Sequence, residues 1–246
     1  MVERIDAKNI EPMLKKLIDI AATVEPNLSD RLKEIDRWAG QEKAGFLTSR
    51  KFLMAFLAEI IEDAQIWLTL QENAIQSSDE EYNREYQQKL AQEMTPPLAY
   101  WYSKLFPLWF RSSDRKFSQW KNCLKSGKHS ADDATELNLL VEQIQERGGS
   151  VLCRRIIDFS MSTDLIVSGR QSNTNLCVQI TKMGESEQMQ EKIKSWKKTL
   201  KLWDIKRGLF VSLNPANFPD SIQSASNLIL FNSDRMKSED YKSFSF

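Results

Sequence analysis

The chain has 246 residues, of which 41% are hydrophobic and 28% are charged, and its 34 basic residues balance its 34 acidic residues. This composition is typical of a globular protein, and no apolar run reaches the roughly 18 to 20 residues that a membrane-spanning helix needs. With one histidine and three widely spaced cysteines, the chain has neither an HExxH nor a CxxC metal motif.

The first half of the chain predicts helices. Its N-terminal residues have no apolar core resembling a signal peptide, so we expect a cytoplasmic protein without a membrane partner. Helical patterns occupy five segments, which are 7–23, 28–38, 48–75, 77–96 and 113–124. We therefore predict an α-helical domain over residues 1–128.

The pattern changes after residue 128. Amphipathic helices are predicted over 132–147 and 186–203. Short apolar runs predict strands at 151–159, 164–168, 175–181, 209–213 and 228–231. A helix between two neighbouring strands implies that they are parallel, so residues 129–246 predict an α/β domain with a small mixed sheet flanked by helices.

Two segments are strongly basic although the net charge is zero. Residues 104–128 and 192–207 each contain seven basic residues and one acidic residue. Such patches attract phosphate backbones, although solvated helix faces have the same composition. The candidate nucleic-acid-binding residues are Arg111, Arg115, Lys116, Lys121, Lys194, Lys197, Lys198 and Lys201.

An aromatic block overlaps the first basic segment. Its rings are Trp101, Tyr102, Phe106, Trp109, Phe110, Phe117 and Trp120. Aromatic rings beside basic side chains can stack on unpaired bases, but rings at this density more often form a core. We expect most of them to be buried.

The residues that bear on chemistry lie in the stretch TDLIVSGRQSNTNLCVQITK, residues 163–182. Asp164 begins one predicted strand, and Gln179 and Thr181 lie two apart on the next, so they point to the same face. Lys182 should point to the opposite face unless the strand bulges or ends there. A divalent cation that cleaves phosphodiesters needs converging oxygen ligands, which this pair of strands could supply. Asp158 competes with Asp164 for that role, or has a strand-edge or turn role.

The order of helix, strand hairpin, crossover helix and strand over residues 132–213 resembles the PD-(D/E)XK, or restriction-endonuclease-like, nuclease superfamily. The resemblance implies that Asp164 is the acid of the second core strand and that the acid-x-lysine tripeptide falls on residues 179–181. Gln179 then replaces a carboxylate, Thr181 occupies the lysine position, and Lys182 follows one place later.

The same resemblance implies a cofactor and roles for the site residues. Mg²⁺ or Mn²⁺ would be held by Asp164 and Gln179, with Glu136 or Glu142 as a further acid from the preceding helix. Lys182 would position water or stabilise charge on the phosphate.

Three functions follow from these patterns. The first is a metal-dependent nuclease acting on nucleic acid, DNA rather than RNA, in defence, repair or mobile-element systems. The second is a catalytically inactive subunit that keeps the nuclease fold and binds nucleic acid or protein subunits. The third is a helical adaptor that grips another protein through the aromatic block.

Overall fold

The computed structural model of the chain describes residues 5, 7–41, 47–76, 94–126, 131–171, 174–182, 184, 186–214 and 218–246. The chain divides into two compact units, Met1–Glu93 with Phe106–His129 and Met94–Leu105 with Ser130–Phe246. The predicted domains, 1–128 and 129–246, differ from these units chiefly in residues 94–105, which belong to the second unit.

Helices account for most of the described residues. They are α1 (Ile10–Val24), α2 (Pro26–Gln41), α3 (Leu47–Gln76), α4 (Pro96–Tyr100), α5 (Phe106–Arg111), α6 (Phe117–Ser126), α7 (Ala131–Glu146), α8 (Arg155–Met161), α9 (Glu187–Leu202) and α10 (Phe218–Arg235). A 3-10 turn (Ala7–Asn9) precedes α1, and a π-helical turn (Trp101–Leu105) follows α4. Within the described ranges, no helix is long and apolar enough to cross a membrane.

The first unit is helical because its apolar residues recur with the period of a helix. In α1 the buried positions are Ile10, Leu14, Leu17, Ile18 and Ala21. The helices predicted at 7–23, 28–38, 48–75 and 113–124 are confirmed, with shifts of a few residues at their ends. The helix predicted at 77–96 falls almost entirely outside the described residues.

The second unit contains a five-stranded mixed sheet, in which the strands follow one another in sequence order. The strands are β1 (Ser150–Leu152), β2 (Leu165–Ser168), β3 (Leu176–Thr181), β4 (Arg207–Ser212) and β5 (Asp240–Ser245). Antiparallel pairing joins β1 to β2 and β2 to β3, whereas β3 pairs with β4, and β4 with β5, in parallel. The crossover helix α9 joins β3 to β4, as the sequence predicted, so a small mixed sheet flanked by helices is confirmed.

The two faces of the sheet are covered by different helices. Alternate residues of the central strands, among them Leu165, Val178 and Leu209, form one core cluster with side chains of α7 and α10. The intervening residues point to the other face, where the Phe210 ring meets the Trp196 ring of α9 at a centroid distance of 5.5 Å. Any polar residue on β3 with the parity of Gln179 therefore lies on the α9 face.

Two strand predictions are wrong. Only the start of 151–159 is a strand, because the chain then forms α8, in which Ile156, Ile157, Ser160 and Met161 are buried at helical spacing. The run at 228–231 lies within α10, where Ile222, Ala225 and Ile229 face the core cluster. The last strand is instead β5, whose polar sequence DYKSFS gave no apolar alternation.

Gly208 of β4 lies under α9, where a Cβ atom would overlap Leu200 Cδ1 and approach the Trp196 ring to 2.9 Å. We expect Gly208→Ala to lower the free energy of unfolding by roughly 1–2 kcal/mol, the lower part of the usual cost of overpacking, because the tip of Leu200 can move. Chemical denaturation followed by tryptophan fluorescence measures the change. Gly184→Ala is the control, since a Cβ atom there meets nothing within 4 Å; equal midpoints for both variants would contradict the prediction.

The turn between α9 and β4 contains a small ion-pair cluster. The carboxylate of Asp204 forms ion pairs with the ammonium groups of Lys206 at 2.7 Å and Lys104 at 2.9 Å. Hydrogen bonds from Lys206 and then Lys104 lower the pKa of Asp204 to about 2. Its contribution to stability is thus present above the ordinary aspartate pKa of about 3.9 and is lost as the pH falls toward 2.

We expect Asp204→Asn to be less stable than the wild type at neutral pH and equally stable near pH 2. Asparagine tolerates the left-handed backbone at this position, where φ is 50°, so the substitution removes the charge and keeps the turn. Thermal unfolding over the acid range measures the difference. A deficit that is constant with pH would show that the charge is not its cause.

Candidate functional site

Asp164 directly precedes β2 and joins it to β3 through its backbone and its side chain. Its N–H donates to the Val178 carbonyl at 2.9 Å. Its Oδ2 atom accepts the Ile180 N–H at 2.5 Å and the Gln179 Nε2–H at 2.6 Å. The structure therefore brings Asp164 and Gln179, which are 15 residues apart in sequence, to one point on the α9 face.

Asp158 adds a second carboxyl group to this point. It lies in α8, whose first turn follows β1, and its carboxyl hydrogen-bonds with that of Asp164. Burial and then the negative charge of Asp158 raise the pKa of Asp164 well above its ordinary value. The N–H of Ile180 and the charge of Lys192 act in the opposite direction. In the absence of a cation, two carboxyls in such contact favour the state in which they share a proton.

Lys192 and Thr181 form the other side of the cluster. Thr181 ends β3 on the same face as Gln179, and its Oγ1 atom accepts a hydrogen bond from the Lys192 ammonium at 3.1 Å. The ammonium also lies 6.0 Å from the centre of the Phe210 ring. The sequence did not indicate this role for Lys192. The contact with β3 depends on how the chain turns between β3 and α9, and the sequence pattern does not predict that turn.

The structure pairs two other predicted catalytic residues with each other. The Lys182 ammonium forms an ion pair with Glu136 of α7 at 2.5 Å. Lys182 has the strand parity of Ile180, which packs on the core cluster beneath α7 and α10. Lys182 and Glu136 thus lie on the face of the sheet opposite Gln179 and Thr181. Glu142 is exposed on α7, the helix that covers this same face.

The basic candidates are divided between the two units. In the first unit Arg111 forms an ion pair with Glu25, and the Lys121 ammonium lies 4.2 Å from the centre of the Phe117 ring. Arg115 is exposed and Lys116 half-buried. On α9 of the second unit Lys194 pairs with Glu191 at 2.8 Å. Of the other α9 candidates, Lys198 and Lys201 are exposed and Lys197 is half-buried.

The aromatic block belongs to the cores. All seven rings, from Trp101 to Trp120, are buried. In the first unit Phe117 and Trp120 meet edge to face with centroids 4.7 Å apart, as Trp67 and Phe110 do at 5.0 Å. The expected burial is confirmed, and the rings are not exposed as a platform for bases.

Carboxylate and amide oxygens, the groups present around Asp164, are the ligand types that hard divalent cations use. Within the described part of the chain, no group of three or more His, Cys, Asp and Glu side chains is placed to hold a metal ion. Mg²⁺, however, is often held by only one or two carboxylates, with waters and substrate phosphates completing the shell. Asp158 and Asp164 supply two carboxylates. The NH₂ group of the Gln179 amide now lies at Asp164 Oδ2, the atom that would attract a cation. Rotation of the amide would present its oxygen to the cation instead.

Comparison with known proteins adds no relative. No family model, no curated protein and no solved structure matches the chain. The resemblance to the nuclease superfamily therefore stays a prediction from the sequence.

Proposed function

We propose that the second unit is a PD-(D/E)XK-like nuclease domain that hydrolyses phosphodiester bonds in nucleic acid, DNA in preference to RNA, in the cytoplasm. The observation that carries the proposal is the Asp164 carboxylate at the junction of β2 and β3, which accepts hydrogen bonds from Gln179 and Ile180 and has the Asp158 carboxyl beside it. Holding two half-buried acids against each other is costly, and a cation that joins them during function would explain the arrangement. Perturbed acids of this kind occur most often at functional sites.

The chemistry required of these residues is simple. Asp158, Asp164 and Gln179 would hold Mg²⁺ or Mn²⁺, which when bound polarises a phosphoryl oxygen and lowers the pKa of water. In the hydrolysis the hydroxyl of a water adds to phosphorus, one ester P–O bond breaks, and the water's proton ends on the leaving sugar oxygen. The two carboxylates must be ionised for this role, so metal binding should release any proton that the pair holds and should tighten as the pH rises.

The outer surface of α9 suits a nucleic-acid backbone. Lys194, Lys198 and Lys201 are exposed there, away from the buried Met189, Ile193 and Trp196. Lysine contacts with phosphate carry no sequence information and release counterions, so binding should weaken steeply with salt. We propose this surface as a non-specific contact for the substrate.

The runner-up function is an inactive subunit that keeps the fold and binds nucleic acid or another protein. Its support is that Gln179 stands where the superfamily has a carboxylate and that Lys182 is engaged with Glu136. The site would then be a remnant, and only the basic surface would act.

One assay distinguishes these functions. Purified protein is incubated with labelled single- and double-stranded DNA and RNA, with Mg²⁺, Mn²⁺ or a chelator, at low and high salt. The nuclease cleaves with metal and not with chelator, whereas the inactive subunit binds in a salt-sensitive way and does not cleave. Absence of both cleavage and low-salt binding would overturn both functions.

A further inference from the structure

We propose that Lys192 supplies the phosphate-facing positive charge of this site, in place of a lysine on β3. The inference rests on the proposed function and places the positively charged side chain on α9. The observation behind it is the hydrogen bond of 3.1 Å from the Lys192 ammonium to Thr181 Oγ1.

The strand position explains why a substitute is needed. Thr181 lies two residues after Gln179 and on the same face, where its short side chain ends in a hydroxyl and carries no charge. A longer, cationic side chain at this position would extend past the Thr181 hydroxyl into the space that the Lys192 ammonium occupies. Lys182, the next residue, pairs with Glu136 of α7. The cation therefore reaches the strand position from α9.

The packing of α9 fixes Lys192 in this position. The helix starts at a defined residue, because Ser186 Oγ accepts the Met189 N–H at 3.2 Å. Met189, Ile193 and Trp196 are buried, which sets the rotation of the helix on the sheet. Lys192 then falls roughly 60° from the centre of the buried stripe, at 100° per residue, so its side chain crosses the edge of the helix toward β3.

The charge of Lys192 already acts on the site. It is among the causes that oppose the rise of the Asp164 pKa, so the ammonium shares the electrostatic environment of the two carboxylates. Lys192 is exposed like Lys194, Lys198 and Lys201, but those three lie roughly 120–180° farther around the helix. Lys192 is thus suited to donate to a non-bridging oxygen of the scissile phosphate, while Thr181 holds the ammonium in place before the substrate binds.

The test compares four variants with the wild type under saturating Mn²⁺. Removing one preorganised charge or donor commonly costs about 10²- to 10³-fold in rate, and we expect this loss in kcat for Lys192→Met. Lys192→Arg should recover part of the rate because it keeps the charge. Thr181→Lys in the Lys192→Met background should also recover at least part of it, because it returns the cation to β3. Lys237→Met, which removes an exposed charge after α10, should cleave like the wild type.

A second measurement does not depend on cleavage. Inorganic phosphate with Mn²⁺ should raise the melting temperature of the wild type and of Lys237→Met, and should have little effect on Lys192→Met. Mn²⁺ alone should stabilise Lys192→Met at least as much as the other two proteins, because the substitution removes a positive charge beside the carboxylates. Equal phosphate shifts in the three proteins, or equal cleavage by Lys192→Met and Lys237→Met, would overturn the role of Lys192. A wild type that shows the phosphate shift and cleaves nothing would instead overturn the proposed hydrolysis and leave the Lys192 site standing.

Discussion

Asp164→Asn is expected to reduce metal-dependent cleavage by about a thousandfold. The loss corresponds to roughly 4 kcal/mol of transition-state stabilisation, in the range expected when a bound metal no longer polarises the phosphoryl group. Asparagine keeps an oxygen that can accept the Ile180 N–H, which Asp164 accepts at 2.5 Å. The substitution therefore removes the charge with little change to the junction of β2 and β3.

A second substitution at the same position separates chemistry from folding. Asp164→Ala leaves the N–H of Ile180 without its acceptor and leaves the Gln179 amide only its hydrogen bond to the Ile180 carbonyl. A donor that loses its acceptor inside a protein costs about 1–3 kcal/mol. We therefore expect both variants to lose cleavage and only the alanine variant to melt clearly earlier. Rates from single-turnover gels and melting temperatures from calorimetry provide the two readouts.

The control for Asp164→Asn is a substitution of an acidic residue on α7, which covers the opposite face of the sheet. Glu146 is exposed at the end of α7, and Glu146→Gln removes the same unit of charge. We expect it to cleave like the wild type. Cleavage by Asp164→Asn at the wild-type rate, in preparations where the chelator stops the reaction, would show that the metal is held elsewhere.

Much of the architecture was predictable from the sequence because local patterns determine it. The apolar stripes of α1, α3, α7 and α9 and the runs of β2 and β3 predicted those elements, and the helix between β3 and β4 predicted their parallel pairing. The errors occurred where a short apolar run fits either a strand or a buried helix. Residues 228–231 are such a run, and only their neighbours Ile222 and Ala225 reveal the helical period.

The sequence predicted only the part of the site that follows from the alternation of side chains along a strand. Parity gave the shared face of Gln179 and Thr181, and it also indicated that Lys182 points away from them. The partners from helices were harder, because Asp158 and Lys192 reach the cluster through turns whose geometry the sequence does not specify. The signal for Lys192 was its place at the edge of the apolar stripe of α9, which becomes informative only once the helix is known to cover β3.

Asp158→Asn is expected to stabilise the metal-free protein at neutral pH and to abolish its stabilisation by metal. Burial and the charge of Asp158 raise the pKa of Asp164 in the folded state. A raised folded pKa means that stability is fully present below the ordinary aspartate pKa of about 3.9 and is lost as the pH rises through the folded value. Asparagine at 158 removes one of the two charges and can still donate a hydrogen bond to Asp164.

The measurement is a set of melting curves against pH, with chelator and with Mn²⁺. Without metal, the advantage of Asp158→Asn over the wild type should grow from acid to neutral pH. With Mn²⁺ at about a hundred times its dissociation constant, the wild type should gain roughly 2.7 kcal/mol, and the variant should gain much less.

Loss of the Asp158 charge should raise stability without metal and lower the stabilisation by Mn²⁺. Because one cause predicts two effects of opposite sign, the two measurements together are decisive. If Asp158 and Asp164 only served the fold, removing one charge would relieve their repulsion and nothing would be lost when metal is added. If they form a cation site, the same substitution gains stability without metal and loses the stabilisation that metal provides. A wild type that Mn²⁺ does not stabilise, together with a variant that is more stable at every metal concentration, would assign the carboxyl pair to folding alone. Strongly perturbed acids cluster at functional sites, and we therefore expect the result that assigns the carboxyl pair to a cation site.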